Sequence, residues 1–478
     1  MTEAHKRVCV IGAGLSGLAA IRELTRAGHD VSCFEAGSAI GGMWRYENDN
    51  GVSAAYRSLS ANTSWRRMQY PSLPLAGSMT EFPHHSELLA YLEHYAEIND
   101  LLPRIAFGAS VERARPVEEG WEVTVGGREP RVFDTLVVAS GHYWDPAVPG
   151  LPGAFDGEIL HARDYRTPDR FMNQRVILVG AGQSALDIAA EVARSARHTT
   201  LSCRQGHHLI PRHVFGRPFD ELDSPAALLL PLPVVRSLAR AVTWAARATP
   251  DPGELPRARH AMFEDRWPVG VAPSTQQALL ERAFECRPAL DRLDGEYVVF
   301  NDGTKARAEA IIFATGYHIN FPFLPKPLGR GDDWEFPLYR RILSPHTDGL
   351  AFIGILEPGP GLLAIVERQA AWLGEVLAGR LPLPGREERW RAIDGGGERR
   401  SHRQFSATGP HTLLCNRHAY LRILNRDLRR VRWRQRFRSQ SKRCPAPPPG
   451  SHIVRDEHLA NRREPPPFAR ERSTALDV

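Results

Sequence analysis

The segment GAGLSG, with Gly12, Gly14 and Gly17, has the spacing that lets a backbone loop approach a pyrophosphate. A strand-like run, VCVI, precedes it and LAAIRELTRAG continues at helical spacing, so the loop joins a strand to a helix whose N-terminus attracts an anion. The next strand, VSCFE, ends in Glu35, where an acid binds a ribose hydroxyl and repels a 2′-phosphate. The unit is therefore predicted to bind FAD or NAD. The predicted contacts are Gly12, Ala13, Gly14, Leu15, Ser16, Gly17 and Glu35.

The same arrangement recurs at RVILVGAGQSALDIAAEVARSA, residues 175–196. Gly180 and Gly182 take the first two positions and Ala185 the third, which the fingerprint permits. The following strand, TTLSCR, ends in Arg204, where a cation favours NADPH over NADH. Two loops predict two dinucleotides, and a hydride passes between them only when docked domains bring the rings together. The predicted contacts are Gly180, Gly182, Gln183, Ser184, Ala185 and Arg204.

Composition and charge exclude several function classes. The chain is 42% hydrophobic and 24% charged, which predicts two or three globular domains. Residues 431–478 hold 11 Arg and Lys against 5 Asp and Glu, which accounts for the net charge of +6. The balanced remainder argues against a nucleic-acid-binding core. The six scattered cysteines include no C-x-x-C pair, so no redox disulfide or metal site is predicted, and a cytoplasmic protein is expected.

Neither a signal peptide nor a transmembrane segment is expected. After MTEAHKR the apolar run is short and passes directly into the first glycine loop. The most apolar later stretch, residues 226–248, contains Pro231 and Pro233 and three arginines, so it spans a bilayer only at high cost. Residues 234–247 are predicted to form an amphipathic surface helix packed on its own domain. A membrane-resting or substrate-gating helix is the alternative.

Further segments give the chain a resemblance to the flavin-containing monooxygenases, a family of class B flavoprotein monooxygenases, from about residue 7 to residue 430. They are GGMW after Glu35, FDGEILHARDY at residues 155–165, FATGY at 313–317 and LAFIGILEPGPG. Tyr165 stands where the related Baeyer–Villiger enzymes usually have Trp, which favours N- or S-oxygenation. By resemblance His161 belongs to a hinge between domains, with a structural role. The resemblance adds these cofactor contacts: Gly42, Met43, Trp44, Thr315 and Gly316.

The polar segment SLSANTSWRRMQYPSLP is similar to the active-site segment of that family. Asn62 matches the asparagine beside the flavin and the nicotinamide amide and is the predicted catalytic residue, with Thr63 as a further cofactor contact. An uncharged amide offers both a donor and an acceptor, which suits a site that must hold a peroxide without protonating it. Trp65 stands where the family commonly has Lys, which leaves the role of a cation there open.

The resemblance implies an FAD- and NADPH-dependent monooxygenase. By this resemblance NADPH would reduce FAD, O2 would add to form a flavin C4a-hydroperoxide, and one oxygen would pass to an amine nitrogen or a sulfide of a small molecule. Baeyer–Villiger oxygenation of a ketone is the alternative. A non-enzymatic, redox-sensing flavoprotein is the hypothesis from another class, and a disulfide reductase would need a cysteine pair near the flavin.

The expected fold is α/β, with two dinucleotide-binding Rossmann-like domains. The NADPH-binding domain, residues 166–320 with the amphipathic insertion, is predicted to be inserted into the FAD-binding domain, residues 1–165 and 321–430. Residues 431–478 form a basic tail rich in Pro and Arg, with the composition of disorder. The substrate and the oligomeric state, a homodimer included, stay open.

Overall fold

Two parallel five-stranded sheets organise the chain, as its computed structural model shows. In chain order the first sheet contains β1 (Arg7–Ile11), β2 (Asp30–Phe34), β3 (Ile105–Ala106), β7 (Thr135–Val138) and β22 (Leu350–Phe352). The second contains β9 (Glu158–His161), β10 (Arg175–Val179), β11 (His198–Ser202), β16 (Glu285–Arg287) and β20 (Ala310–Phe313). The spatial orders are β22-β7-β1-β2-β3 and β16-β11-β10-β20-β9, so β1 and β10 take the same central position. The predicted fold class is confirmed.

Both sheets form from short apolar runs because parallel strands are covered on both faces. All four residues of β7 and of β20 are buried, and so are four of the five residues of β1. Between β3 and β7 the chain forms an antiparallel sheet of β4 (Val111–Val117), β5 (Gly120–Val125) and β6 (Arg131–Phe133). Between β16 and β20 it forms a second, of β17 (Leu290–Asp294), β18 (Tyr297–Phe300) and β19 (Lys305–Arg307).

The remaining strands form three short pairs. They are β8 (Asp145–Pro146) with β21 (Tyr317–His318), β12 (Leu209–Pro211) with β15 (Val269–Val271), and β13 (His213–Val214) with β14 (Arg217–Pro218). The pair β12–β15 is parallel and the other two are antiparallel. Strands β12 and β15 lie on either side of the amphipathic insertion, which the sequence places at residues 224–250.

Helices cover the sheets. They are α1 (Leu15–Arg26), α2 (His85–Ile98), α3 (Gln183–Val192), α4 (Leu232–Ala245), α5 (Pro273–Leu280), the short α6 (Lys326–Gly329), α7 (Leu362–Leu377), α8 (Arg386–Asp394) and α9 (Arg417–Ser441). Helices α1 and α7 pack closely, since a Cβ at Gly374 would lie 2.8 Å from the Cβ of Ala27. No helix in the part of the chain that the structure describes is long and apolar enough to cross a membrane.

The amphipathic helix predicted at 234–247 is α4, which begins at Leu232 and is described to Ala245. Its apolar face is only partly covered. Val235 and Val242 are half-buried, but Leu238 on the same face is 51% exposed. Trp244, which is 81% exposed, lies on the opposite face, with Arg236 and Arg240. That this face packs on its own domain stays a prediction, and residues 246 and 247 lie outside the described residues.

The structure describes residues 5–75, 77, 79–245, 258, 268–329, 336–394 and 413–441. Met1–Val431 is one compact unit, and Arg432–Val478 is a second, of which only 432–441 are described. Helix α9 continues to Ser441 and so enters the tail, residues 431–478, whose disorder stays a prediction. Arg and Gln are good helix formers, and Val431 is buried. The remaining tail, 442–478, lies outside the described residues.

The predicted domain boundaries stay predictions. Strand β9, at 158–161, pairs with β20 in the second sheet, ahead of the boundary predicted after residue 165. Strand β22 pairs with β7, which returns the chain to the first sheet.

Candidate active site

The first glycine loop is closed by contacts that exclude a side chain. Gly12 follows β1 with φ at +96°, and a Cβ there would lie 3.0 Å from the carbonyl oxygen of Ala139. A Cβ at Gly17 would lie 1.8 Å from the carbonyl oxygen of Gly12, so α1 approaches the loop as only glycine permits. Gly14 is the N-cap of α1 and supplies no side-chain cap. The N–H groups of the first turn of α1 are therefore free for an anion.

Glu35 lies beside this loop at the end of β2. Its side chain is 5% exposed; Oε2 accepts a hydrogen bond from Ala13 N at 2.6 Å and Oε1 accepts one from Gly37 N at 2.9 Å. Each carboxylate oxygen has two lone pairs, so both keep an acceptor position for a ribose hydroxyl. The sequence-predicted acid is thus in place, and it also holds the loop backbone.

The GGMW turn packs against the same loop. Its last three residues form a short 3₁₀ helix, Gly42–Trp44. A Cβ at Gly42 would lie 3.1 Å from the Cα of Gly14, and Gly41 N donates to the carbonyl of Ala13 at 3.1 Å. The segment LAFIGILEPGPG also reaches this loop, because a Cβ at Gly354 would lie 2.1 Å from the hydroxyl of the buried Ser16. The structure brings these predicted contacts together: Gly12, Ala13, Gly14, Leu15, Ser16, Gly17, Glu35, Gly42, Met43 and Trp44.

The second loop has the same build after β10. Gly180 has φ at +133°, and a Cβ there would lie 2.4 Å from the carbonyl oxygen of Ala314. Gly182 is the N-cap of α3, and a Cβ there would meet no atom within 4 Å, so the approach to this backbone is open. Ala185 is fully buried, and Arg204 is exposed two residues after β11. Gln183 and Ser184 begin α3. Both loops thus fit a dinucleotide pyrophosphate.

One segment beside the first loop was missed by the sequence reasoning, although the sequence carries a signal for it. VVASGHY, residues 137–143, parallels IFATGYH, residues 312–318, and each follows the strand next to the central one. Gly141 and Gly316 have φ at +77° and +88°. His142 is buried, and neither ring nitrogen has a hydrogen-bond partner in the described part of the chain. Burial lowers the pKa of His142 to about 4, so the ring is neutral at pH 7.

Thr315 and Gly316, two of the predicted cofactor contacts, form hydrogen bonds with Ala147, in the segment between β8 and β9. The Thr315 hydroxyl donates to the carbonyl of Ala147 at 2.5 Å, and Ala147 N donates to the carbonyl of Gly316 at 3.0 Å. These bonds continue the β8–β21 pair. Contact of Thr315 with a cofactor stays a prediction.

Tyr165, at the end of the F-x-G-x-x-x-H-x-x-x-Y pattern, ties α3 to the active-site segment. Its hydroxyl donates to Glu191 Oε2 at 3.0 Å, and the hydroxyl of Ser58 donates to the same oxygen at 2.8 Å. The ring of Tyr165 packs edge-on against that of Tyr56, with centroids 5.7 Å apart. His161 is buried nearby, and its Nδ1 accepts from a backbone N–H. The hinge role assigned to His161 stays a prediction.

Asn62 belongs to a segment that contacts the helices following both glycine loops. In its segment, the hydroxyl of Tyr70 donates to the carbonyl of Leu15, at the start of α1, at 2.6 Å. At the other end, a Cβ at Gly270 of β15 would lie 3.8 Å from both the Asn62 carbonyl oxygen and Gln183 Oε1. The predicted catalytic residue and the start of α3 therefore flank the same glycine.

Arg212 contacts Asn62 and was not singled out from the sequence. Arg212 directly follows β12 and is only 8% exposed. Its Nη2 donates a hydrogen bond to Asn62 Oδ1 at 2.8 Å. The guanidinium carbon lies 5.2 Å from the centroid of the Phe82 ring. Burial lowers the pKa of Arg212, and the nearby carboxylate of Asp187 opposes that shift. The contact joins residues 150 positions apart, so local sequence gives no signal for it.

The active-site segment docks on the 3₁₀ turn Phe219–Leu222. Ser64 N donates to the buried Asp220 at 2.7 Å, and Arg66 pairs with Glu221 at 2.9 Å. The Arg66 guanidinium also lies over the ring of Trp65, 4.7 Å from its centroid. Thr63 is half-buried in the same segment. Arg66 thus places a cation beside Trp65, the position where the resemblance leads us to expect Lys.

Comparison with known proteins gives a consistent result. A family model described as flavin-binding monooxygenase-like matches residues 5–428. Dimethylaniline monooxygenase (N-oxide-forming) 2 of Rattus norvegicus is 33% identical over 402 residues, covering 79% of this chain and 74% of the rat protein.

Two solved structures share the fold. The S-allyl-L-cysteine S-oxygenase from Allium sativum superposes with a TM-score of 0.65 at 24% identity, covering 93% of this chain and 94% of that one. The cyclohexanone monooxygenase from Rhodococcus sp. Phi1, bound to NADP+, gives 0.63 at 19% identity, covering 89% and 97%. At these identities the likeness concerns the fold alone.

Proposed function

The chain belongs to the flavin-binding monooxygenase-like family, and from that premise we propose that it oxygenates the nitrogen of a small amine or the sulfur of a small sulfide. The chain is an FAD- and NADPH-dependent monooxygenase. The observation that carries the proposal is that the segment containing Asn62 contacts α1 through Tyr70 and α3 through Ser58, and these two helices begin at the loops built for dinucleotides. The relation to an N-oxide-forming enzyme, at 33% identity, favours nitrogen or sulfur over a ketone carbon.

The residues of the two loops suit different cofactors. Bound FAD would supply the oxygen-activating redox chemistry, and NADPH would supply the hydride. In the first loop the N–H groups of α1 would donate to the FAD pyrophosphate, and Glu35 would accept from a ribose hydroxyl. In the second loop α3 would bind the NADPH pyrophosphate, and Arg204 would pair with the 2′-phosphate.

The remaining residues would orient the substrate and exclude water. An amine or sulfide reacts through its own lone pair, so the protein's task is to hold it beside the cofactors. The half-buried amide of Asn62 donates hydrogen bonds there without bringing an acidic proton. Docking of the active-site segment on Asp220 covers this region and limits the access of water.

The reaction test mixes the purified protein with NADPH, 18O2 and three probes: a tertiary aromatic amine, an allyl sulfide and a cyclic ketone. We expect one labelled oxygen in an N-oxide or S-oxide, together with NADPH consumption, measured by mass spectrometry and absorbance. A labelled lactone from the ketone alone would support the Baeyer–Villiger alternative. H2O2 as the sole product with every probe would contradict the proposed substrate class.

Two matched variants assign the loops. Asp is a favourable N-cap, so Gly14→Asp and Gly182→Asp should keep α1 and α3 intact while placing a negative charge against the pyrophosphate. Gly14→Asp should lose bound FAD. Gly182→Asp should keep FAD but lose its reduction by NADPH. The opposite pattern would contradict the assignment of FAD to the first loop.

We also propose a cytoplasmic location, because the six cysteines are scattered along the sequence and include no C-x-x-C pair. A homodimer stays open. Sedimentation of the FAD-loaded protein measures its oligomeric state.

A further inference from the structure

We infer that Arg212 is a positioning residue whose guanidinium fixes the amide of Asn62, so that Asn62 presents its two N–H bonds, and not its oxygen, to the bound cofactors and substrate. The inference rests on the proposed role of Asn62 in the oxygenation site. It names a residue 150 positions away from Asn62 as part of that site.

The direction of the amide follows from the donor inventory. A guanidinium carries five N–H donors and no acceptor. Since Arg212 Nη2 donates to Asn62 Oδ1 at 2.8 Å, turning the amide over would set two donors against each other inside the protein. Asn62 Nδ2 makes no hydrogen bond to any residue that the structure describes, and the residue is only half-buried. The N–H bonds are therefore the part of the amide that remains for a ligand.

Arg212 is itself held on several sides. Its backbone N–H donates to the carbonyl of Val271 at 3.1 Å, and its carbonyl accepts from Phe219 N at 2.9 Å. The ring of Phe82 covers the guanidinium at 5.2 Å. These contacts come from β15, from the turn after β14 and from the loop before α2, so Arg212 is fixed by three segments. The orientation it imposes on Asn62 should persist when the cofactors exchange.

The positive charge of Arg212 also makes the Asn62 amide a stronger hydrogen-bond donor. Nε of Arg212 is buried and has no hydrogen-bond partner among the residues described, so the bond to Asn62 is the side chain's main polar contact. Asp187 forms no ion pair with the guanidinium among the residues described, and its two oxygens accept from Gln183 and Thr275, each at 2.8 Å. A cation behind the amide polarises it and makes its N–H bonds better donors. The carbonyl oxygens of the flavin and nicotinamide rings are acceptors that suit such donors.

A double-mutant cycle tests the inference with two readouts. The first is the Kd of NADP+ for the oxidised, FAD-loaded protein, followed by the change in the flavin spectrum. The second is the fraction of consumed NADPH that appears as H2O2. Glutamine both donates and accepts, so Arg212→Gln lets the Asn62 amide turn over. We expect Arg212→Gln to raise the NADP+ Kd about 5- to 20-fold, the worth of one hydrogen bond, and to raise the H2O2 fraction.

In an Asn62→Ala background the same change should alter the Kd by less than about twofold, because the residue through which Arg212 acts is gone. Arg212→Lys keeps a group that only donates, so it should recover most of the wild-type Kd and coupling. Arg217→Gln is the matched control. It makes the same charge change five positions away, at the exposed residue of β14, and should resemble the wild type.

Two results would overturn the inference. One is additivity, in which Arg212→Gln has the same effect with and without Asn62. The other comes from Asn62→Asp, which keeps an oxygen for Arg212 but removes both N–H donors. If this variant retains the wild-type Kd and coupling, the donor orientation is wrong. Asn62→Asp and Arg212→Lys also decide the matter if Arg212→Gln does not fold, as judged by its Tm. A wild type that binds NADP+ but oxygenates no probe would contradict the proposed substrate class and leave this binding test intact.

Discussion

Substitution of Gly17 by alanine is expected to empty the first loop of FAD while leaving the second loop functional. The methyl group of Gly17→Ala would lie 1.8 Å from the carbonyl oxygen of Gly12. Because carbon-to-oxygen contacts are normally about 3.3–3.6 Å, the start of α1 and the loop have to separate by roughly 1.5 Å. Both atoms in this contact belong to the backbone or are attached to it directly, so no rotamer change can relieve it.

The size of the effect follows from hydrogen-bond geometry. An N–H donor that lies about 2.9 Å from a phosphate oxygen leaves hydrogen-bonding range when it moves by roughly 1.5 Å. Each charged hydrogen bond contributes about 1.5–3 kcal/mol, so the loss of two amounts to about 3–6 kcal/mol. That corresponds to a rise in the FAD Kd of about 10²- to 10⁴-fold. Alanine favours helix by about 1 kcal/mol over glycine, so α1 itself is not weakened.

The assay compares the flavin-to-protein ratio after purification and the Kd for FAD added to the apoprotein. Ala185→Gly is the control, because Ala185 occupies the same position of the second loop and is already fully buried there. It should lower stability by about 1–2 kcal/mol through helix propensity and lost burial, and keep its flavin. A Gly17→Ala protein with wild-type flavin content and a Kd within about threefold of wild type would refute the steric argument.

Three further outcomes are expected. Arg204→Gln removes the cation at the 2′-phosphate and should raise the KM for NADPH about tenfold without changing that for NADH; an unchanged cofactor preference in steady-state kinetics would contradict this. Glu35→Gln sets a donor against the N–H of Ala13 or Gly37 and should weaken FAD binding about 30-fold, roughly 2 kcal/mol, in a fluorescence titration; an unchanged Kd would count against it. His142 has a folded pKa of about 4 against 6.5 in the unfolded chain, so its contribution to stability is complete above pH 6.5 and is lost as the pH falls towards 4. At pH 5 the loss is about 2 kcal/mol, so the Tm of wild type should drop more between pH 7 and pH 5 than that of His142→Gln, and equal drops would argue against a buried neutral ring.

Local features of the fold and the site could be predicted from the sequence. Each glycine loop joins a strand to a helix over a few consecutive residues, so the apolar run, the glycines and the helical spacing all report on one contiguous structure. Glu35 was predictable for the same reason, because it ends the next strand along the chain. The contact of Gly14 with the GGMW turn also joins residues close in sequence.

Features that depend on distant contacts could not be predicted. Arg212 directly follows β12, whose partner strand, β15, comes almost 60 residues later in the chain, after the amphipathic insertion. Nothing near Arg212 distinguishes it from an exposed arginine. The extent of α9 was missed for a different reason, because the composition of residues 431–441 is highly basic, yet Val431 packs in the interior. Composition does not show which residues are buried.

The two sheets and their glycine loops repeat one arrangement, which explains cofactor binding, but the site around Asn62 comes from parts that differ between these two repeats. Each repeat has the same strand order, and the first glycine of each loop packs against the residues after the neighbouring strand. In the first repeat, the connection from β2 to β3, residues 35–104, contains Asn62. In the second repeat, the corresponding connection, from β11 to β16, contains Arg212 and Gly270. Because β2 and β11 end where each dinucleotide would place its ribose, these connections start at the cofactors and extend towards each other. The proposed site at Asn62 is therefore formed by connections that differ between the two repeats, on loops that share one geometry.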